Sequence, residues 1–176
     1  QDSIGSNHGS LVGGVDCNVV GVNGQGKACK FDGVDDYIDT PHDSSTYTSF
    51  SIMAWINPKT TQKSFPTIIG EADYPTNVRG WTIRKDPAAN WHVRVQDGST
   101  PTANRVSLSS PDNSWTHVAL VFDGTNLEGF ANGNSEGIIS TNFNDALVST
   151  SIGRSNNLNI VDSYFNGTID EVMIFN

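Results

Sequence analysis

The chain has 176 residues, and its 19 acidic side chains outnumber 10 Lys and Arg to give a formal net charge of −9. That length suits one domain, 1–176, with a core of its own. The acidic balance argues against nucleic acid and anionic lipid as partners, and no run of about 18 apolar residues offers a membrane span.

Gln1 to Gly14 is polar and glycine-rich, and leads through Leu11-Val12 into a short strand. Cys17 and Cys29 follow, 12 positions apart. A bridge closing that loop would stabilise the fold by about 3 kcal/mol and place the protein in a secreted, extracellular setting, whereas two free thiols would not. Cys29 to Asp39 holds Phe31 and Tyr37-Ile38 around the turn Asp32-Gly33-Val34-Asp35. In Ser49 to Asn57, Phe50, Ile52, Ala54 and Ile56 alternate with Ser51, Met53, Trp55 and Asn57, so the first set is expected in the core. Trp55 and Trp115 are also expected to pack structurally. Pro58 ends that ladder.

Thr67 to Gly70 reads as a short strand and Glu71 to Gly80 as an irregular polar loop. Trp81–Lys85 and Trp91–Gln96 are two strands around a turn at 86–90. In the second, Trp91, Val93 and Val95 share one face while His92, Arg94 and Gln96 face water or ligand. Val106 to Leu108 continues the meander. Trp115 to Phe122 is apolar on both faces, as a central strand should be, and a turn at 123–126 sends it back through Leu127 to Ala131. His117 is expected to pack in this strand beside a hydrogen-bond partner. Asn142 to Val148 supports no more than a turn or two of helix. Ser149 to Gly153 is a late strand, and Ser155 to Ser163 an amide-rich loop. In Tyr164 to Phe175, Ile169, Val172 and Ile174 cannot share a face of a regular strand, so a bulge is expected near Asp170-Glu171. The whole reads as an all-β antiparallel sandwich or barrel.

Six motifs in order, Phe31–Ile38, Phe50–Ile56, Trp115–Ala119, Asn132-Gly133, Ile152–Arg154 and Phe165–Val172, resemble the laminin G-like, concanavalin A-like jelly roll related to pentraxins. The resemblance implies a two-sheet antiparallel jelly roll of the lectin/glucanase type. It implies too a mostly non-catalytic role, binding sugars or proteins, often with calcium, in secreted multidomain proteins. A structural Ca2+ would draw on Asp32, Asp36, Asp170 and the carbonyl of Gly33.

Sugar rings pack on flat aromatic surfaces, and their hydroxyls pair with amides, carboxylates and guanidiniums. The aromatic candidates are Tyr74, Trp81, Trp91 and Tyr164. The polar candidates are Asn77, Arg79, Arg84, His92, Arg94 and Arg154, with Asn156, Asn157 and Asp162. Arg79, Arg84, Arg94, Arg105 and Arg154 supply five of the ten basic groups, and their gathering on one face would favour an anionic or hydroxyl-rich glycan. The expected function is therefore a carbohydrate-binding module of a secreted polysaccharide-active or surface protein, part of a larger multidomain chain. The alternatives are an adhesion or structural module that binds protein, and a lyase or hydrolase. Gly133–Gly137 matches G-x-S-x-G, but the surrounding strands do not suit a nucleophile elbow. Glu71-Ala72-Asp73 lacks the third acid of the paired-acid strand found in glucanases of this fold. Arg94, His92 and Tyr164 are the trio a lyase would use.

Overall fold

In the computed structural model, which describes residues 5–73, 79–87, 90–98, 104–156 and 162–176, fourteen strands make two antiparallel sheets of seven. The first sheet is built from β1 (Ser10–Val12), β4 (Tyr37–Asp39), β6 (Thr67–Asp73), β7 (Arg79–Lys85), β8 (Trp91–Asp97), β9 (Arg105–Leu108) and β13 (Ser151–Ile152). The second takes β2 (Asp16–Val20), β3 (Lys27–Asp32), β5 (Phe50–Pro58), β10 (Thr116–Phe122), β11 (Asn126–Ala131), β12 (Asn134–Ser140) and β14 (Asn166–Phe175). Their spatial orders are β1-β4-β13-β6-β7-β8-β9 and β12-β11-β10-β5-β14-β3-β2. No helix among the described residues is long and apolar enough to cross a membrane.

The period of two in the sequence becomes rows across the sheets. Leu11, Ile38, Ile152, Ile69, Ile83, Val93 and Val106 are successive cross-strand partners in the first sheet. From Ile69 to Val106 this row is fully or nearly buried. In the second sheet Phe50, Ile52, Ala54 and Ile56 face inward as expected, against Phe122, Leu120, Val118 and Thr116 of β10. Burial of these side chains, each contributing about 1.5–3 kcal/mol, is the main force holding the sheets together. At Gly129 of β11 the sheets approach closely, because a Cβ there would stand 2.9 Å from Val93 and Val106 of the opposite sheet.

Cys17 and Cys29 form a disulfide that ties β2 to its neighbour β3. The bulge in β14 is present too. Its pairing with β5 passes from Asp170–Trp55 to Met173–Met53, one extra residue on β14, and Glu171 takes φ 48°. Val172 and Ile174 thereby return to the core. The short helix considered for 142–148 does not form. Trp55 does not join the core either: with Ser51, Met53 and Asn57 it takes the outward face of β5, half-buried, 5.3 Å from the ring of His117. The N–H of His117 is held by Asn132 Oδ1.

Candidate functional site

The row next to the inward one runs along the outward face of the first sheet. Ser10, Asp39, Ser151, Gly70, Thr82, Arg94 and Arg105 are successive partners from edge to edge. The same alternation sends Trp81 and Trp91 inward with Ile83, Val93 and Val95. Trp81 packs against Phe50 and Trp91 against Phe165, with ring centroids 6.2 and 5.7 Å apart. Neither indole is a platform for sugar, which corrects the expectation from sequence.

The polar half of β8 is also covered: Arg94 is 2 % exposed, and His92, Gln96 and Arg84 of β7 are buried with it. Burial is tolerated because Asp86, in the turn after β7, gathers the charges. Its carboxylate lies 2.8 Å from Arg84 Nη2 and from Arg105 Nη1, 3.5 Å from Arg94 Nη2 and 3.8 Å from His92 Nε2. Burial pushes the pKa of Asp86 up, but the charges of Arg84, His92, Arg94 and Arg105 overcome that and hold it below the ordinary value. Burial moves His92 the other way, down to about 4, with Arg94 and Arg84 adding to the effect against the pull of Asp86. At neutral pH His92 is therefore uncharged. Asp86 read in the sequence only as a turn residue; the signal was its place between two Arg-bearing strands.

At the other end of the sheet the guanidinium carbon of Arg154 stands 3.5 Å from the ring centroid of Tyr37, and the ring of Tyr164 lies 6.5 Å from Tyr37 at 46°. All three side chains are half-buried. Tyr37 was missed as a site residue, although the same parity that puts Ile38 inward turns it outward. Asn156 donates its amide to the carbonyl of Ser149, and exposed Asp162 faces Lys63 at 3.8 Å. Arg79 opens β7 opposite Asp73 and Asp97. Tyr74, Asn77 and Asn157 lie outside the described residues.

Among the described residues, two acidic groups have oxygens close enough to share a cation. In the first, Asp32, Asp35 and Asp36 converge, and Asp36 accepts the N–H groups of Gly14 and Asp32. Asp170 does not join them. Asp32 is paired with Asn166, so Asp170 lies four residues further along β14, about 13 Å away. There it accepts the N–H of Val22 at 2.9 Å. The expected set Asp32, Gly33, Asp36 and Asp170 is thus not brought together.

The second group is Asp43, Glu71 and Asp145. Glu71 belongs to β6 rather than to a polar loop, and is 0 % exposed. Its Oε1 accepts Ser44 Oγ at 2.7 Å and Ser44 N at 3.1 Å, and its Oε2 accepts Thr150 Oγ1 at 2.9 Å. Trp81 completes the net by donating its indole N–H to Ser44 Oγ, and His42 Nδ1 is hydrogen-bonded to Thr150 Oγ1 at 2.8 Å. The backbone bends around this group at Gly80, φ 91°, where a Cβ would stand 1.8 Å from the Glu71 carbonyl oxygen. Asp145 keeps a buried Oδ1 with no hydrogen-bond partner. Its pKa is raised by burial and by the neighbouring carboxylates of Glu71 and Asp43, despite the N–H of Leu147.

Residues 32–176 match the family model of the laminin G-like branch of the concanavalin A-like lectin/glucanases superfamily. The chain belongs to this family. No curated protein matches it at a significant level. Among solved structures, this laminin G-like domain is similar to domain 4 of AbnA, a GH43 extracellular arabinanase from Geobacillus stearothermophilus in complex with arabinotriose. The two share 24 % identity over 94 % of this chain and 81 % of the other, with a TM-score of 0.66. The sialidase CBM40 of Ruminococcus gnavus, bound to α2,3-sialyllactose, shares 15 % identity over 72 % and 75 % of the two chains, with a TM-score of 0.58. The heptameric pentraxin of Limulus polyphemus shares 13 % over 82 % and 73 %, with a TM-score of 0.60. These similarities concern the fold.

The laminin G-like domain offers little to a catalytic mechanism in the places where the sequence raised one. Ser135, at the centre of G-x-S-x-G, sits at the start of β12 in a hairpin and donates to Glu128 at 2.6 Å, so no strand-to-helix elbow exists. The lyase trio is divided: Tyr164 is beside Tyr37 of β4, whereas His92 and Arg94 are on β8, four strand spacings or about 19 Å across the sheet. Glu71 is buried with a hydroxyl donor on each oxygen, so it is not placed to reach a substrate.

Proposed function

We propose that this laminin G-like domain is a non-catalytic carbohydrate-binding module, working outside the cell as part of a larger polysaccharide-active or surface protein. The observation that carries the reading is the group Tyr37, Arg154 and Tyr164 on the outward face of the first sheet. Two half-exposed phenol rings supply surface for sugar C–H faces, and the guanidinium, already stacked and oriented, supplies donors for hydroxyls. Binding partners in the related structures support it: an arabinotriose in the arabinanase domain and a sialyllactose in the sialidase module. The disulfide supports an oxidising compartment. A protein-binding adhesion module predicts no aromatic and Arg cluster on this face, so the cluster favours the glycan reading.

Calcium, which the family resemblance implies, suits the chemistry of Asp43, Glu71 and Asp145, where three carboxylates meet and Asp145 Oδ1 is buried without a donor. These residues would hold it, and the ion would neutralise their repulsion and brace the loops around 43 and 145 against β6.

The test is an affinity-gel and glycan-array screen in calcium and in EDTA. Binding that falls at least tenfold in Arg154→Ala and Tyr164→Ala, with melting temperature unchanged, is the expected result. The absence of binding to every glycan, or binding indifferent to both substitutions, would remove the reading.

A further inference from the structure

We infer that the outward face of the second sheet is a docking surface for a protein partner whose contact area is apolar and ringed by Lys and Arg. This face lies on the opposite side of the sandwich from Tyr37, Arg154 and Tyr164, so the inference stands apart from the glycan-binding reading. Phe130, Ala119, Met53 and Met173 are successive partners from β11 to β14. Ile138, Glu128, Val121, Ser51 and Phe175 form the next row, from β12 to β14. His117, Trp55 and Asp170 make a third. Five strands at their usual spacing give a face about 19 Å across. Ile138, Met173 and Phe175 are exposed, and Trp55, Met53, Phe130 and Val121 are half-buried. On the first sheet the outward row holds Asp39, Thr82, Arg94 and Arg105, so apolar residues are not the rule for an outward row in this fold.

A contiguous apolar patch rimmed by polar groups marks an interaction site, and its composition says of what kind. Met and aromatic side chains are concentrated at the centre of protein interfaces, where charged ones are depleted. A glycan needs partners for its hydroxyls, and the row from Phe130 to Met173 offers no hydroxyl, amide or charged side chain. Charge then selects the partner. The three rows contain no Lys or Arg; their charged groups are Glu128 and Asp170, and Glu171 is exposed at the bulge. Burial lowers the pKa of His117, so it adds no positive charge at neutral pH. At the end of the second row a recess of about 270 Å3 is lined by Val121, Phe175 and Asp123, an apolar seat with a carboxylate beside it. A second copy of the chain would set these acids against their like, and two bodies of net charge −9 repel. A basic rim meets complementary charge instead.

The experiment titrates synthetic peptides, graded in apolar content and in charge, against the wild-type domain, Met173→Ser and Ile138→Ser. The same three proteins are sedimented alone and read on a glycan array. Peptides that combine apolar residues with Lys or Arg are expected to bind, with affinity about tenfold lower in each variant and weakened by salt. The inference is overturned if no peptide binds, if basic peptides without apolar residues bind as well, or if both variants bind like the wild type. A wild-type dimer that Met173→Ser dissociates would also overturn it, by giving the face to a second copy. Glycan binding that the two substitutions weaken would give the face to sugar instead. Met173 and Ile138 are exposed on β14 and β12, so an unchanged melting temperature in both variants separates lost binding from lost folding.

Discussion

Thr150 donates its hydroxyl to the carboxylate of Glu71 at 2.9 Å, joining the residue just before β13 to β6 where no solvent reaches. With Ser44 on the other oxygen, the carboxylate fastens two loops to one strand. Glu71→Ala leaves these donors buried without an acceptor and is expected to cost about 3 kcal/mol, or a fall in Tm of about 6–12 °C. Glu71→Gln keeps one acceptor and should cost less. Calorimetry showing no change in the alanine variant would mean the loops are held otherwise.

Asp145 gives the calcium proposal a pH signature. Its pKa is raised in the fold, so the folded state holds the proton longer than the unfolded chain, and this contribution to stability fades as pH rises from about 3.8 through the raised value. A cation takes over where the proton leaves. The stabilisation by calcium over EDTA, read as a rise in Tm, should therefore be largest at neutral pH, about 2.7 kcal/mol at a hundredfold excess over Kd, and small in acid. Asp145→Asn should reduce it. Equal melting of the wild type in calcium and EDTA at pH 7 would count against the site.

His92 has the opposite sign. Its pKa falls from 6.5 unfolded to about 4 folded, so the unfolded chain takes up the proton first. Stability is fully present above pH 6.5 and declines as pH drops toward 4, by on the order of 3 kcal/mol in all. Urea unfolding at pH 7 and pH 5 should show this loss in the wild type and a smaller one in His92→Gln. Parallel losses in both proteins would place the titration elsewhere.

Reducing Cys17–Cys29, which are 12 residues apart, should lower stability by about 3 kcal/mol without dissolving the sheets, since β3 keeps its pairing with β14. Far-UV circular dichroism with and without reductant checks this. A spectrum that collapses at room temperature would show that the bond is needed for the fold itself.

The elements easiest to read in the sequence were those where one face is apolar and the other is not. Phe50, Ile52, Ala54 and Ile56 alternate without exception, and the phase change after Asp170 betrayed the bulge. The turn dipeptide Asn132-Gly133 announced a strand beyond it, but the bounds of β12 were not legible, because an edge strand with mostly exposed side chains carries little hydrophobic signal. Glu71 escaped for a related reason: a carboxylate inside a strand looks like a loop until its donors, Ser44 and Thr150, are brought from far away in the chain. Of the site candidates, Arg84 and Arg94 did gather, but Trp81 and Trp91 went to the core, because residue type alone does not say which parity faces inward. Asp86 and Tyr37 acquire their roles only from neighbours that the topology supplies.

β14 lies between β5 and β3 in the middle of the second sheet, with Gly167 opposite Phe31. The early strands β2 and β3 thus meet the rest of their sheet only through β14, the strand of that sheet synthesised after all the others. On the ribosome, these strands must wait unpaired on that side until residues 166–175 emerge, and the pairing that closes the sheet spans most of the chain. Such long-range closure makes for slow folding, and a nascent chain halted short of β14 would present the open flanks of β3 and β5 to any chaperone, or to another unfinished copy.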